Sequence, residues 1–161
     1  MNTHILLGTN LGNREQHLKD AIRLISQRIG RISRKSPIYE TQSWGYCDND
    51  YLNQIICCDT ELPADMLLKA TSKIETELGR IRNLQGYEAR TIDIDILLYG
   101  SEVADSPTLT IPHPRMQDRK FVLIPMCDID ADIVHPVIGK TMNELLQQCT
   151  DSCRVKPYNQ Q

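Results

Sequence analysis

Apolar and polar residues change their spacing several times along this chain, and each change marks an element. The run Thr3–Leu7 reads as a strand that enters a glycine-containing turn, GTNLGN. Leu18, Ile22, Ile25 and Ile29 then recur at helical spacing, with Asn13 placed as N-cap and Gly30 as the stop. Extended segments are expected around Ile32–Thr41 and Leu52–Thr60. Pro63 opens a second helix carrying Leu67, Thr71, Ile74 and Leu78 on one face and ended by Gly79. A strand over Ile92–Tyr99 and a short one near Leu109–Ile111 precede helical stretches near Phe121–Asp128 and Met142–Gln148. Thr141 and Glu144 have the spacing of a capping box for the last helix. Strand, helix, two strands, helix, strand is the order of an α+β layer, a sheet covered by helices. It predicts one domain over 1–161, with about 153–161 as a loose tail.

Composition narrows the class. A chain of 161 residues suits one domain, and 40% hydrophobic with 24% charged residues is a globular balance. Its 18 Lys and Arg against 21 Asp and Glu leave a net charge of −3, which argues against a general nucleic-acid binder. No signal peptide or membrane span is read: Ile5–Leu7 is too short an apolar stretch, and the run Phe121–Cys127 is interrupted by Pro125. The six cysteines form no disulfide framework, and adjacent Cys57 and Cys58 would point to opposite faces of a strand. There is no Cys-x-x-Cys pair, and the four histidines complete no zinc pattern. The cysteines are therefore expected to be reduced and the chain cytoplasmic.

The average charge conceals a local bias. Between Lys73 and Lys120 every cation is an arginine: Arg80, Arg82, Arg90, Arg115 and Arg119. Within that stretch RTIDIDILLYG alternates, with Ile92, Ile94 and Ile96 on one face and Asp93 and Asp95 on the other. Two carboxylates two residues apart repel each other, and a hard divalent cation such as Mg²⁺ relieves this. The structural alternative is a half-exposed strand with an acidic outer face. Arg80 and Arg82 just after the second helix and Arg90 just before the acidic strand offer planar forks of donors for phosphate oxygens. Salt bridges to the Asp pair are the alternative for them. The polar stretch LQGYEA between Arg82 and Arg90 reads as a mobile loop. His113, stiffened between Pro112 and Pro114, suits either a structural hydrogen bond or a phosphate oxygen. GTNLGN lacks both the Lys-Ser/Thr of a P-loop and the G-x-G-x-x-G of dinucleotide binders, so it is taken as a strand-to-helix turn.

Taken in order, GTNLGN, YETQSWG, YLN, ELGRIR, RTIDIDILLYG and IPHPRMQDRKFVL resemble the 6-hydroxymethyl-7,8-dihydropterin pyrophosphokinase family of folate biosynthesis, over roughly Thr3 to Leu146. The resemblance implies a ferredoxin-like α+β fold and transfer of a pyrophosphoryl group from ATP to the hydroxymethyl oxygen of the dihydropterin, releasing AMP. It implies that Asp93 and Asp95 hold two Mg²⁺ ions and that Arg80, Arg82 and Arg90 belong to a catalytic loop, with Arg82 and Arg90 the catalytic pair. It assigns Glu75, Ile96, Thr110, His113 and Arg119 to ATP, together with the loop arginines Arg80, Arg82 and Arg90. It assigns Tyr51 and Phe121 to the two faces of the pterin ring, Asn53 to its polar edge, with Thr41 assisting and Asp93 also near this substrate. Trp44 is either a lid or a packing residue, and Tyr87 stands where some members carry tryptophan. The partners expected are the two small substrates alone, with no nucleic acid, no membrane and a monomeric chain.

Two other classes compete. A non-catalytic ferredoxin-like RNA-binding module would share the layer order, but it calls for clustered strand aromatics and a basic surface. A Mg²⁺-dependent nucleotidyltransferase would release pyrophosphate, with its acidic pair expected soon after the first turn.

Overall fold

The first strand, β1 (Asn2–Thr9), sends Ile5 and Leu7 to one face of the sheet and Leu6 to the other, and all three are buried. A strand apolar on both faces belongs in the middle of a covered sheet. In the computed structural model, which describes residues 1–42, 49–79 and 91–159, β1 is central. It pairs antiparallel with β4 (Tyr51–Thr60) on one side and with β5 (Asp93–Tyr99) on the other. β3 (Tyr39–Thr41) continues the sheet beyond β4, and β2 (Gly30–Lys35) pairs with the other half of β4. With α1 (Arg14–Arg28) after β1, α2 (Ala64–Glu77) after β4, and β2 and β3 as two segments of one interrupted strand along β4, this is the β-α-β-β-α-β order of a ferredoxin-like sheet. A separate two-stranded ribbon joins β6 (Ala104–Asp105) to β7 (Thr110–Ile111).

The helices cover both faces. On one, Leu18 and Ile25 of α1 and Leu67 and Ile74 of α2 pack against Ile5 and Leu7. On the other, Val122 and Met126 of α3 (Lys120–Asp130) and Met142 and Leu145 of α4 (Met142–Gln148) pack against Leu6 and Ile55. The helix starts are as read: the Asn13 carboxamide accepts from the Gln16 amide at 3.1 Å. Thr141 and Glu144 form the full capping box, with Glu144 Oε2 accepting from the Thr141 amide at 2.8 Å. Cys57 and Cys58 do point to opposite faces, Cys58 into the α1–α2 core and Cys57 towards His4. Among the described residues every cysteine is a free thiol, and no helix is long and apolar enough to cross a membrane.

Three readings need correction. Gly8 and Thr9 are not part of a turn but the last residues of β1. A glycine without a positive φ in an otherwise apolar run is compatible with a strand, and the turn starts beyond it, with Gly12 at φ 66°. Gly30 is the first residue of β2 rather than a helix stop: a Cβ there would lie 1.9 Å from the Asp59 carbonyl oxygen, so close approach to β4 demands glycine.

The third correction concerns the end of the chain. Val155–Pro157 is not loose but a strand, β8, paired with the outer edge of β3. Three residues are too few to show a period, so its hydropathy could not reveal it; what recruits it is the unpaired edge of β3. The Tyr158 amide donates to the Ile38 carbonyl at 2.9 Å, and its hydroxyl donates to Glu15 Oε1 at 2.7 Å. Tyr158→Phe removes that last bond to α1 and is expected to lower stability by about 1 kcal/mol. The expected readout is a lower urea midpoint with an unchanged m-value.

Candidate active site

Near its start β5 alternates as expected. Ile92, Ile94 and Ile96 are buried in the α1–α2 core, while Asp93 and Asp95 are half-buried on the opposite face. That face also carries Tyr51 and Asn53 of β4, and Leu6 and Gly8 of β1 between the two strands; together they line one cleft. Thr41 and Gln42 at the end of β3 form one wall, and Arg119 and Phe121 at the start of α3 form the other. Seven of the sequence-assigned residues thus converge: Thr41, Tyr51, Asn53, Asp93, Asp95, Arg119 and Phe121.

Gly8 occupies a tight place between two strands. It pairs with Asn53 on one side and Asp93 on the other. A Cβ there would lie 3.2 Å from Asn53 Oδ1, forcing the amide to give way. Asn53 is buried, and its Nδ2 donates to Thr41 Oγ1 at 2.7 Å, which fixes the orientation of the amide. Arg14, at the start of α1, ties the two flanks of this wall together. Its Nη1 donates to Glu40 Oε2 at 2.9 Å and to the Asp50 carbonyl at 2.7 Å, next to Thr41 and Tyr51 respectively. Opposite, the Arg119 guanidinium stacks over the Phe121 ring at 5.5 Å, holding a cation and an aromatic face at the cleft rim.

The other described residues that the resemblance assigns to ATP lie away from the cleft. The Ile96 side chain is in the core, so only its backbone is available to a ligand, and β5 is the edge strand of the sheet path. Glu75 is buried on α2 and accepts from the Ile94 amide at 3.3 Å. Thr110 donates to Asp105 Oδ1 at 3.3 Å, and Thr110 and His113 line a separate depression beside β7. The His113 amide donates to the Leu97 carbonyl at 2.9 Å, which joins this segment to β5. Burial and the cations Arg119 and Arg115 push the His113 imidazole below its ordinary pKa, against the opposing pull of Asp93. Its Nδ1 accepts from the Arg115 amide at 3.3 Å, so the neutral ring carries its proton on Nε2. Arg80, Arg82, Arg90, Trp44 and Tyr87 lie outside the described residues.

Residues 4–131 match the family described as 7,8-dihydro-6-hydroxymethylpterin-pyrophosphokinase. The chain belongs to this family. It is a transferase of folate biosynthesis with ATP as co-substrate, which disfavours both the nucleotidyltransferase and the non-catalytic module. It is 39% identical over 137 residues to the 2-amino-4-hydroxy-6-hydroxymethyldihydropteridine pyrophosphokinase of Porphyromonas gingivalis, covering 83% of this chain and 92% of that one. To the Haemophilus influenzae enzyme of the same name it is 37% identical over 155 residues, covering 95% and 96%. The folic acid synthesis protein fol1 of Pneumocystis carinii is 37% identical over 149 residues, and this chain, 92% of which is covered, spans only 20% of its length. Among solved structures, an HPPK-DHPS in complex with substrates superposes with a TM-score of 0.72 at 15% identity, covering 91% of this chain and 43% of that one. The Plasmodium falciparum HPPK-DHPS wild type gives 0.71 at 16%, covering 91% and 43%. Both likenesses carry the fold.

Sequence reasoning passed over Gly8, Gln42 and Arg14. Gly8 had a signal, a glycine inside an apolar strand run, where the backbone must be approached closely. Gln42 and Arg14 had none, because their roles depend on which segments the sheet brings together. Gly8→Ala is expected to raise KM for a pterin substrate about tenfold, equivalent to ~1.4 kcal/mol, with KM for ATP nearly unchanged. Steady-state kinetics with each substrate varied in turn checks this.

Proposed function

We propose that this cleft binds 6-hydroxymethyl-7,8-dihydropterin and that ATP lies across Asp93 and Asp95 towards the outer edge of β5. The observation that supports this reading is the convergence of two aromatic side chains, an oriented amide and a carboxylate pair in one cleft. Tyr51 and Phe121 stack on the two faces of the heterocycle, and Asn53, held by Thr41, reads its polar edge. Asp93 and Asp95 fit Mg²⁺: both are carboxylates on one face of one strand, and they offer only hard oxygen ligands. Two ions bound there would neutralise the polyphosphate and align it for displacement.

The residues then divide the work by position. Arg119, His113 through its Nε2–H, and Arg80 hold phosphate oxygens, while Glu75, Thr110 and the backbone of Ile96 hold the nucleoside end. Arg82 and Arg90 place their guanidinium groups against charge that grows in the transition state. The hydroxymethyl oxygen attacks the β-phosphorus in line and gives up its proton to solvent; the bond to the α-phosphate oxygen breaks and AMP leaves with that electron pair. No side chain is assigned as general base, so the acceleration rests on positioning and electrostatics. The same reading makes the enzyme cytoplasmic and monomeric, with no nucleic-acid or membrane partner.

The nucleotide product tests the proposal. Incubation with ATP, Mg²⁺ and the dihydropterin is expected to yield AMP and a pyrophosphorylated pterin, whereas ADP or free pyrophosphate contradicts it. Asp93→Ala and Asp95→Ala are each expected to lower kcat on the order of a thousandfold with little change in the urea midpoint. Near-normal turnover in either removes the metal assignment. Arg82→Ala and Arg90→Ala are expected to lower kcat more than they weaken ATP binding, and a change in ATP affinity alone rejects their transition-state role.

A further inference from the structure

The sheet face that carries the cleft at one end carries a second polar cluster at the other. His4 lies four residues before Gly8 on β1, roughly 13 Å along the strand, with Leu6 packed under α3 between them. It stands directly opposite Cys57 of β4, and Asp130 at the end of α3 reaches down to the same point. His4 Nε2 lies 2.6 Å from Asp130 Oδ2 and 3.8 Å from Cys57 Sγ, and the three ligand atoms all lie within 4.8 Å of one another. His4 is 1% exposed and Cys57 0%, whereas the Asp130 side chain is 21% exposed and forms the rim.

We infer that His4, Cys57 and Asp130 form a binding site for a borderline-soft divalent cation of the Zn²⁺ type, separate from the Mg²⁺-binding carboxylates. The donor set is one imidazole nitrogen, one thiolate and one carboxylate, the mixture that zinc accepts and magnesium does not. Bonds of about 2.0 Å to nitrogen and oxygen and 2.3 Å to sulfur place tetrahedral ligand atoms about 3.3–3.6 Å apart. The Sγ–Nε2 separation is close to that, and the Nε2–Oδ2 pair has to open by less than 1 Å.

A catalytic Cys-His-Asp relay is a poorer fit. A relay uses both ring nitrogens, one for the nucleophile and one for the acid. Here both partners face Nε2, and Nδ1 is buried without a hydrogen-bond partner. Both partners therefore converge on a point beside Nε2 rather than flanking the ring.

Arg34 is the group that opposes a cation. Its Nη1 donates to Asp130 Oδ1, and its Nη2 lies 3.4 Å from Cys57 Sγ. Asn2 Oδ1 also lies 3.0 Å from that sulfur and offers a further oxygen donor. The bound ion needs the lone pair of His4 Nε2 and the Cys57 thiolate, so any proton on those atoms leaves to solvent as the ion enters. The Arg34 side chain is 45% exposed and can swing outwards, which leaves the Asp130 rim as the entry path. Occupied, the site ties the end of α3 to β1 and β4, and the start of α3 carries Phe121 and Arg119.

Co²⁺, a spectroscopic stand-in for Zn²⁺, tests the site in chelator-treated full-length protein. One equivalent is expected to give a thiolate-to-metal charge-transfer band in the near ultraviolet, which added Zn²⁺ removes. The oxygen-only site at Asp93 and Asp95 gives no such band. The band is expected to vanish in Cys57→Ser, to persist in Cys58→Ser, and to require about tenfold or more Co²⁺ in Asp130→Asn. No band in the wild-type protein overturns the inference without reference to any variant. A band that survives in Cys57→Ser overturns it as well, since the thiolate then belongs elsewhere.

Discussion

Gly8 is hydrogen-bonded into the sheet between Asn53 and Asp93, and much of the cleft follows from that register. A strand's side chains alternate with period two, so a slip of one residue on β4 or β5 would turn the functional set into the core. Asn53 and Tyr51 would exchange places with Leu52, and Asp93 and Asp95 with Ile94. The register is held by the other face, where Ile5, Leu7, Leu52, Ile56, Ile94 and Ile96 bury apolar surface under α1 and α2. At about 25 cal/mol per Å² of buried apolar area, such side chains contribute roughly 1.5–3 kcal/mol each, and a slip forfeits them together. Hydrophobic burial on one face thus orients the chemistry on the other.

The functional face is divided along its length. Leu6 and Ile55 sit under α3 in the middle and separate two polar ends. At one end the first turn of α3 carries Phe121, with Arg119 just before the helix, on the same cleft as the Asp pair. At the other it ends with Asp130 against His4 and Arg34, with the Tyr39 hydroxyl donating to Asp128 nearby. A helix of 11 residues spans about 16 Å, enough to bridge the two ends. Its inclination, and so the distance from Phe121 to Tyr51, is set by what holds both ends.

Some of this was legible before any coordinates. The period-two run from Ile92 to Ile96 sorted Asp93 and Asp95 from the core, and the capping box at Thr141 located α4 to the residue. These are local signals, and local backbone rules are sufficient for them. The glycines were harder: Gly30 and Gly79 each follow a helical pattern, yet Gly79 adopts φ 91° as a stop and Gly30 is demanded by a contact with Asp59. No local rule separates the two. The strand at Val155–Pro157 was invisible for the same kind of reason, since its partner edge lies more than a hundred residues away. Motif spacing likewise found no zinc pattern among the histidines, because His4, Cys57 and Asp130 meet only through pairing and helix packing.

The arginine bias gains its meaning from this arrangement. With a net charge of −3 the protein offers no long-range attraction to a polyphosphate, so affinity has to arise locally. Asp93 and Asp95 sit in the half of the sheet where the only described cleft cation is Arg119, and that guanidinium stacks over Phe121. A lysine there would be a more strongly hydrated point charge, less suited to stacking on a ring and presenting donors in one plane. Arginine does both, so one residue links the aromatic wall that suits a flat heterocycle to the carboxylates that suit a metal-bound phosphate. That link gives a single cleft two chemically unlike halves.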